Sequence, residues 1–383
     1  MYKSIIDKIK SCLPSTRNEF VIHEPIFDEK SFSDCKKCLD SSYVSTQGNY
    51  IEKFELKIKD ITGSKYVLLT NTGTAALFLS LKINNVNQTE VLVPSMTFAA
   101  TVNAILYNDA IPHFIDCEVN SPNIDLEKLN NYLSKKFIVK NNTCINKTTK
   151  KVVSSIIAVH AYGQPVDIEK LRKITKKYKL EIIEDAAGAL GSFYKNKHVG
   201  ISSRSAILSF NGNKIVTTGM GGALLLKKYS DYKKVKHLIS TARITHKWKV
   251  MHDMLGYNLR MANINASIGY SQLCNLKKTL SLKEKLYSQY QKTFENNQYC
   301  YINTYSKVSK PNNWVINLML KEEYIKYHQE LLKQMHKNKL YLRELWKPQH
   351  MSKYLKKYPK SDLRNTIKIW KKTISLPSCY YNI

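Results

Sequence analysis

Between Tyr66 and Leu226 the chain repeats one pattern: a short, almost unbroken apolar run, a turn, then a stretch with helical spacing. The runs YVLL (66–69), VLV (91–93), IPHFID (111–116), VSSIIAVHAY (153–162), LEIIED (180–185), SAILSF (205–210) and GALLL (222–226) read as strands. Runs that stay apolar on both sides of the pleat suit strands covered on both faces, as in a largely parallel sheet between helical layers. GTAALFLSL (73–81), TFAATVNAILY (97–107) and a segment starting near Asp167 supply helices between them. The predicted class is α/β, with a mostly parallel seven-stranded sheet.

One segment interrupts the pattern. KKFIVKNNTCINKTTKK (135–151) is rich in Asn, Thr and Lys and predicts an exposed excursion between crossover elements. After Leu273 the character changes to a long helical stretch (LKEKLYSQYQKTFENN), a strand-like WVINLML (314–320) and then Lys- and Tyr-rich helices. The expected boundary therefore separates an N-terminal segment with the large lobe, 1–272, from a smaller α/β lobe, 273–383.

Composition narrows the function classes. A chain of 383 residues, 43% hydrophobic and 23% charged, has room for two lobes and an ordinary globular core. No run approaches the roughly 20 apolar residues of a membrane helix. The opening MYKSIIDKIKSCL mixes apolar and charged side chains at helical spacing, unlike a secretory leader. The expected location is the cytoplasm. The formal charge of +30 admits a basic, non-catalytic binding protein, including one that takes nucleic acid. Such a protein would show clustered Lys/Arg with interleaved aromatics, or a reader motif. The lysines are instead spread along the chain, which leaves attraction of an anionic substrate as their use. Of eight cysteines only Cys35 and Cys38 form a CxxC pair. Their surroundings read as helix and no second ligand pair follows, so reduced thiols and no metal site are expected.

Three features of the large lobe suit one kind of cofactor. Asn71-Thr72-Gly73-Thr74 lies between a strand and a helix start, where backbone N–H groups and hydroxyls receive a phosphate, although the same residues serve as ordinary caps. Glu184-Asp185 ends a strand, where ligands sit in open α/β sheets; a carboxylate there could pair with a pyridine nitrogen, or simply cap the next helix. Lys214 follows SFNGN and precedes TTGMGG. A lysine between a strand and a Gly-rich turn is well placed for a Schiff base.

NTGTAAL, VPSMTFAATVNAI, HAYGQPVDI, EDAAGALGS, SFNGNK…TTGMGG and GYNLRM together resemble the DegT/DnrJ/StrS family of nucleotide-sugar aminotransferases, in the family's order and from about Ile22 onward. VIHEP, SFNGNK and HKW are most similar to the branch that makes UDP-linked 4-amino-4,6-dideoxy-N-acetyl sugars for legionaminic acid and bacillosamine. The resemblance implies a fold-type-I, aspartate-aminotransferase-like transferase that uses pyridoxal 5'-phosphate. Lys214 would carry the cofactor and shuttle protons, Asp185 would pair with the pyridinium nitrogen, and Phe98 would lie against the ring. Thr72, Gly73, Thr74 and Ser209 would hold the phosphate, and Asn258 would reach it from the other subunit of a homodimer. L-Glutamate would be the amino donor and a UDP-linked 4-keto-6-deoxy sugar the acceptor, with GDP- or dTDP-linked keto sugars as alternatives. His246, Lys247 and Trp248 are candidate contacts to the nucleotide-sugar. A dehydratase of the same family would replace the Schiff-base lysine, and Lys214 is present. One position departs from the pattern. Gly188 stands where relatives often carry Gln, His or Glu, and this predicts a missing contact to the cofactor hydroxyl, or a water in its place.

Overall fold

The apolar runs become the central sheet of the computed structural model, which describes residues 1–380; the last three residues of the expected small lobe lie outside that range. The strands are β1 (Tyr66–Thr70), β2 (Glu90–Pro94), β3 (Ile111–Ile115), β4 (Phe137–Lys140), β5 (Thr143–Asn146), β6 (Val152–Val159), β7 (Glu181–Asp185), β8 (Ser205–Ser209) and β9 (Gly222–Leu226). Their order across the sheet is β1-β9-β8-β7-β6-β2-β3. The five strands from β8 to β3 are parallel, and β9 runs antiparallel to both its neighbours. Successive residues of each strand enter opposite layers. Val91, Ile157, Ile183 and Ile207 pack on one face, while Leu92, Ile156, Ile182 and Leu208 pack on the other. Burial on both faces is why the runs are continuous rather than alternating.

Residues 135–151 are a mostly exposed excursion, but an ordered one. They form the β4–β5 hairpin, and β5 pairs antiparallel with the start of β6, so the sheet has nine strands. Asn141 and Asn142 both have positive φ, the requirement of a two-residue hairpin turn that matches strand twist. Only Asn141 and Asn142 of the segment's polar residues are this turn, while Phe137 and Cys144 are buried. The run 153–162 also ends early. β6 stops at Val159, and Ala161–Gly163 forms a short turn with Tyr162 at φ 55°.

The second lobe is a four-stranded antiparallel sheet in the order Cys300–Ile302, Asn317–Leu320, Thr373–Ser375 and Arg343–Glu344. The helix Leu276–Phe294 leads into it. The first 21 residues, grouped with the large lobe on pattern alone, share this lobe's core. Ile5, Ile6 and Ile9 of helix Tyr2–Lys10 pack with Leu286, Tyr290, Leu331 and Met335, and Phe20–Val21 pairs with Leu340–Tyr341. Cys35 and Cys38 lie on the helix Glu29–Asp40, and neither is in a disulfide. Among the described residues no helix is long and apolar enough to cross a membrane.

Candidate active site

A cavity of about 270 Å³ opens at the carboxyl ends of β1, β6, β7 and β8. It brings together Thr72, Gly73, Thr74, Phe98, Asp185, Ser209 and Lys214, more than 140 residues apart at the extremes. Thr72 caps the helix Gly73–Ile83: its hydroxyl accepts the Ala75 N–H at 3.0 Å. The first turn of that helix carries no acidic residue, so its free N–H groups and dipole favour an anion. Gly73 sits directly over Ser209: a Cβ there would lie 2.9 Å from Ser209 Cβ and 3.0 Å from its Oγ. Any other residue would close the cradle.

The adjacent carboxylates of β7 have opposite surroundings. Glu184 accepts the Gly200, Ser202 and Ser203 N–H groups at 2.8–3.0 Å, the Ser203 hydroxyl at 2.8 Å and His160 Nε2 at 3.1 Å. Burial alone would raise its pKa, but His160 and these donors outweigh it and hold the carboxyl low. His160 Nδ1 accepts the Val166 N–H at 3.1 Å, which leaves a ring proton on Nε2 for Glu184. Asp185 faces the cavity with fewer donors: Thr101 Oγ1 at 2.7 Å and Ala187 N–H at 3.1 Å. Burial therefore raises its pKa, against the opposing pull of Thr101, Ala187, Lys214 and His160. A carboxylate desolvated in this way gains most from a positive partner.

Lys214 is half-buried, with its amine on the cavity. Burial lowers its pKa to about 8, opposed by the charge of Asp185. Among the described residues the amine makes no hydrogen bond; its neighbour is the face of Trp314, 3.7 Å from the ring centroid. An amine without an acceptor, a desolvated carboxylate and an acid-free helix N-terminus fit pyridoxal phosphate, with its aldehyde, its ring nitrogen and its phosphate.

Other expectations need correction or placement. The Cβ position of Gly188 is taken by the indole of Trp314, since a Cβ there would stand 2.5 Å from Trp314 Cζ3, while the backbone of Gly188 still lines the cavity. Asn258 is exposed, bridged to Ser240, and does not line the cavity of its own chain. His246, Lys247 and Trp248 lie between the short strands Arg243–Ile244 and Met251–His252, also outside the cavity, and Trp248 is 77% exposed. Sequence reasoning assigned no role to His160, Thr101, Tyr162, Trp314 or Trp346, all of which line the cavity. Tyr162 stacks on Trp346 at 4.1 Å and 22°, and its hydroxyl accepts the Trp346 N–H at 2.7 Å. The glycine in HAYG was the available signal for that turn.

Fold and cavity together define a pyridoxal-phosphate-dependent transferase. The match to known proteins is more particular. Residues 25–381 match the DegT/DnrJ/EryC1/StrS aminotransferase family, and the chain belongs to that family. It is a pyridoxal-phosphate-dependent aminotransferase. It is 31% identical to GDP-perosamine synthase of Escherichia coli O157:H7 over 359 residues, covering 93% of this chain and 92% of that one. It is also 31% identical to UDP-4-amino-4,6-dideoxy-N-acetyl-beta-L-altrosamine transaminase of Campylobacter jejuni serotype O:23/36 over 336 residues, covering 87% and 86%. Among solved structures, Helicobacter pylori PseC, an aminotransferase of pseudaminic acid biosynthesis, superposes with a TM-score of 0.83 over 94% of each chain, at 24% identity.

Proposed function

We propose that the cavity transfers the amino group of L-glutamate to C4 of a UDP-linked 4-keto-6-deoxy-N-acetylhexosamine, giving a UDP-4-amino-4,6-dideoxy sugar for surface glycan or nonulosonic acid synthesis. The observation that carries this reading is the meeting of Lys214, Asp185 and the hydroxyl-lined helix N-terminus in one cavity, in a chain related to the Campylobacter transaminase. Pyridoxal phosphate, when bound, supplies an electron sink for moving an amino group. Asp185 would hold positive charge at the ring nitrogen, while Thr72, Gly73, Thr74 and Ser209 would hold the phosphate and Phe98 would flank the ring. Lys214, with its pKa lowered to about 8, removes a proton from the donor α-carbon and later delivers one to C4 of the acceptor. The formal charge of +30 draws in a nucleotide diphosphate.

In this reading the enzyme is a cytoplasmic homodimer. Trp248, Val250, Met254 and Leu255 are 56–80% exposed within one short segment, a concentration of apolar surface that marks an interface. Asn258, exposed beside it, serves the neighbouring subunit's phosphate, and His246, Lys247 and Trp248 serve the neighbouring nucleotide-sugar. A GDP-linked acceptor is the second reading, favoured by the equal identity to GDP-perosamine synthase.

Two measurements decide. Addition of L-glutamate to the pyridoxal-phosphate-loaded protein is expected to shift the visible band to the pyridoxamine form, and Lys214→Ala is expected to lack the starting band. No band in the wild type removes the aminotransferase mechanism. Competition between UDP- and GDP-linked keto sugars is expected to favour UDP; preference for GDP overturns the acceptor assignment.

A further inference from the structure

Trp314 enters the cavity from the small-lobe side and is 4% exposed. Its backbone and its ring are both held. The backbone N–H donates to Asn312 Oδ1 at 2.9 Å, and the carbonyl accepts from Lys283 Nζ at 3.3 Å. The indole N–H donates to the Asn213 carbonyl at 2.7 Å, next to Lys214 in the chain. Asn312 in turn donates to the carbonyls of Gly188 and Leu190 at 2.9 and 2.8 Å. The same turn that lacks a side chain at Gly188 is thus tied to the segment that fills the space. The six-membered ring of the indole occupies the Cβ position of residue 188, and its face carries the Lys214 amine at 3.7 Å.

We infer that Trp314 is the positioning residue for the Lys214 amine, seated in the volume that Gly188 leaves open. The inference rests on the reading of Lys214 as the amine that takes the cofactor. Two physical effects act on the amine, with opposite signs on its pKa. The π face attracts the charged amine and keeps a flexible side chain directed at the cavity. The same indole displaces water that would otherwise solvate the ammonium, which favours the free base. Burial is the larger contribution to the depressed pKa of Lys214, so removal of the indole lets water return and raises that pKa.

The test uses the cofactor-free protein and needs no turnover. Competitive acetylation with acetic anhydride across pH 6–11, read peptide by peptide by mass spectrometry, gives the titration midpoint of Lys214 among all other lysines. The wild-type midpoint is expected near 8. Trp314→Ala is expected to move it upward by about one unit or more. Gly188→Ala, which displaces the indole, is expected to move it the same way, and the double variant no further than Trp314→Ala alone. Trp314→Phe, which keeps an aromatic face, is expected to return the midpoint toward the wild-type value. Should Trp314→Ala fail to fold, Gly188→Ala and Trp314→Phe carry the comparison. A merely structural Trp314 lowers the melting temperature of these variants and leaves the midpoint where it was, and that result overturns the inference. The outcome is separable from the function proposed above, because a missing cofactor band with shifted midpoints refutes that function and not the role of Trp314.

Discussion

The floor and the wall of the cavity are built from different material. The floor comes from strand ends and a helix N-terminus of the large lobe: Asp185 at the end of β7, Ser209 at the end of β8, and Thr72 as the cap of Gly73–Ile83. Its groups are polar and fixed by backbone geometry. The wall is aromatic, with Tyr162, Trp314 and Trp346 at centroid separations of 4.1–6.4 Å, and Trp314 and Trp346 come from the C-terminal segment. A polar floor supplies charge and hydrogen bonds; an aromatic wall removes water and so sets how strongly the floor's charges act. The division teaches that the chemistry resides in the large lobe, while two of the three aromatics that tune it, Trp314 and Trp346, come from the C-terminal segment.

If the floor supplies the charge, neutralising it should have the largest effect among variants that leave both the wall and Lys214 intact. Asp185→Asn keeps the shape but removes the negative charge beside Lys214 and the ring-nitrogen site. The expected fall in kcat/KM is about 10²–10³-fold, the scale of one preorganised electrostatic contact, with weaker retention of pyridoxal phosphate on dialysis. A variant within about threefold of wild type would show that the floor's charge is dispensable.

The second test concerns the cost of holding an amine against the wall. The folded Lys214 pKa is about 8 against 10.5 for an ordinary lysine. Between those values the folded, cofactor-free protein binds fewer protons than the unfolded chain, so stability rises with pH across that window. Below pH 8 the amine is charged in both states and the full penalty is present. Lys214→Met removes it. The variant is expected to be more stable at pH 7 by on the order of 1–2 kcal/mol, with the gain fading as pH passes 8 and heads toward 10.5. Thermal unfolding of both proteins from pH 6.5 to 9.5 checks this; a pH-independent difference means that packing, not charge, separates them.

The floor was legible in the sequence because it obeys local rules. Strand runs buried on both faces have a recognisable composition, and ligands sit beyond their carboxyl ends, which made Asp185 and Lys214 candidates, while Ser209 came in only through the family resemblance. The wall follows no such rule. Trp314 was visible only as the first residue of an apolar run, and its contacts to Asn213 and Gly188 span more than 100 residues. The absence of a side chain at Gly188 could be read from the sequence, whereas the indole that fills the gap could not. The β4–β5 hairpin was missed for a related reason: its polar turn at Asn141-Asn142 dominated a segment whose buried positions are few.

Tyr162 is where floor and wall meet, and it offers the smallest and most discriminating effect. It leaves the end of β6 in a left-handed conformation, φ 55°, a strain of about 1 kcal/mol for a residue with a side chain. Its ring stacks on Trp346 and its hydroxyl accepts the Trp346 N–H. Tyr162→Phe keeps the backbone strain and the stack while removing the acceptor. The freed N–H is only partly buried, so water from the cavity recovers some of the loss, and the expected destabilisation is about 0.5–1 kcal/mol. Denaturant unfolding should show a lower midpoint with an unchanged slope. The Lys214 midpoint should stay near 8, since Trp314 is untouched. If instead Tyr162→Phe shifts Lys214 as far as Trp314→Ala does, the wall acts as one unit, and the tie between Tyr162 and Trp346 governs the amine as much as the indole beneath it.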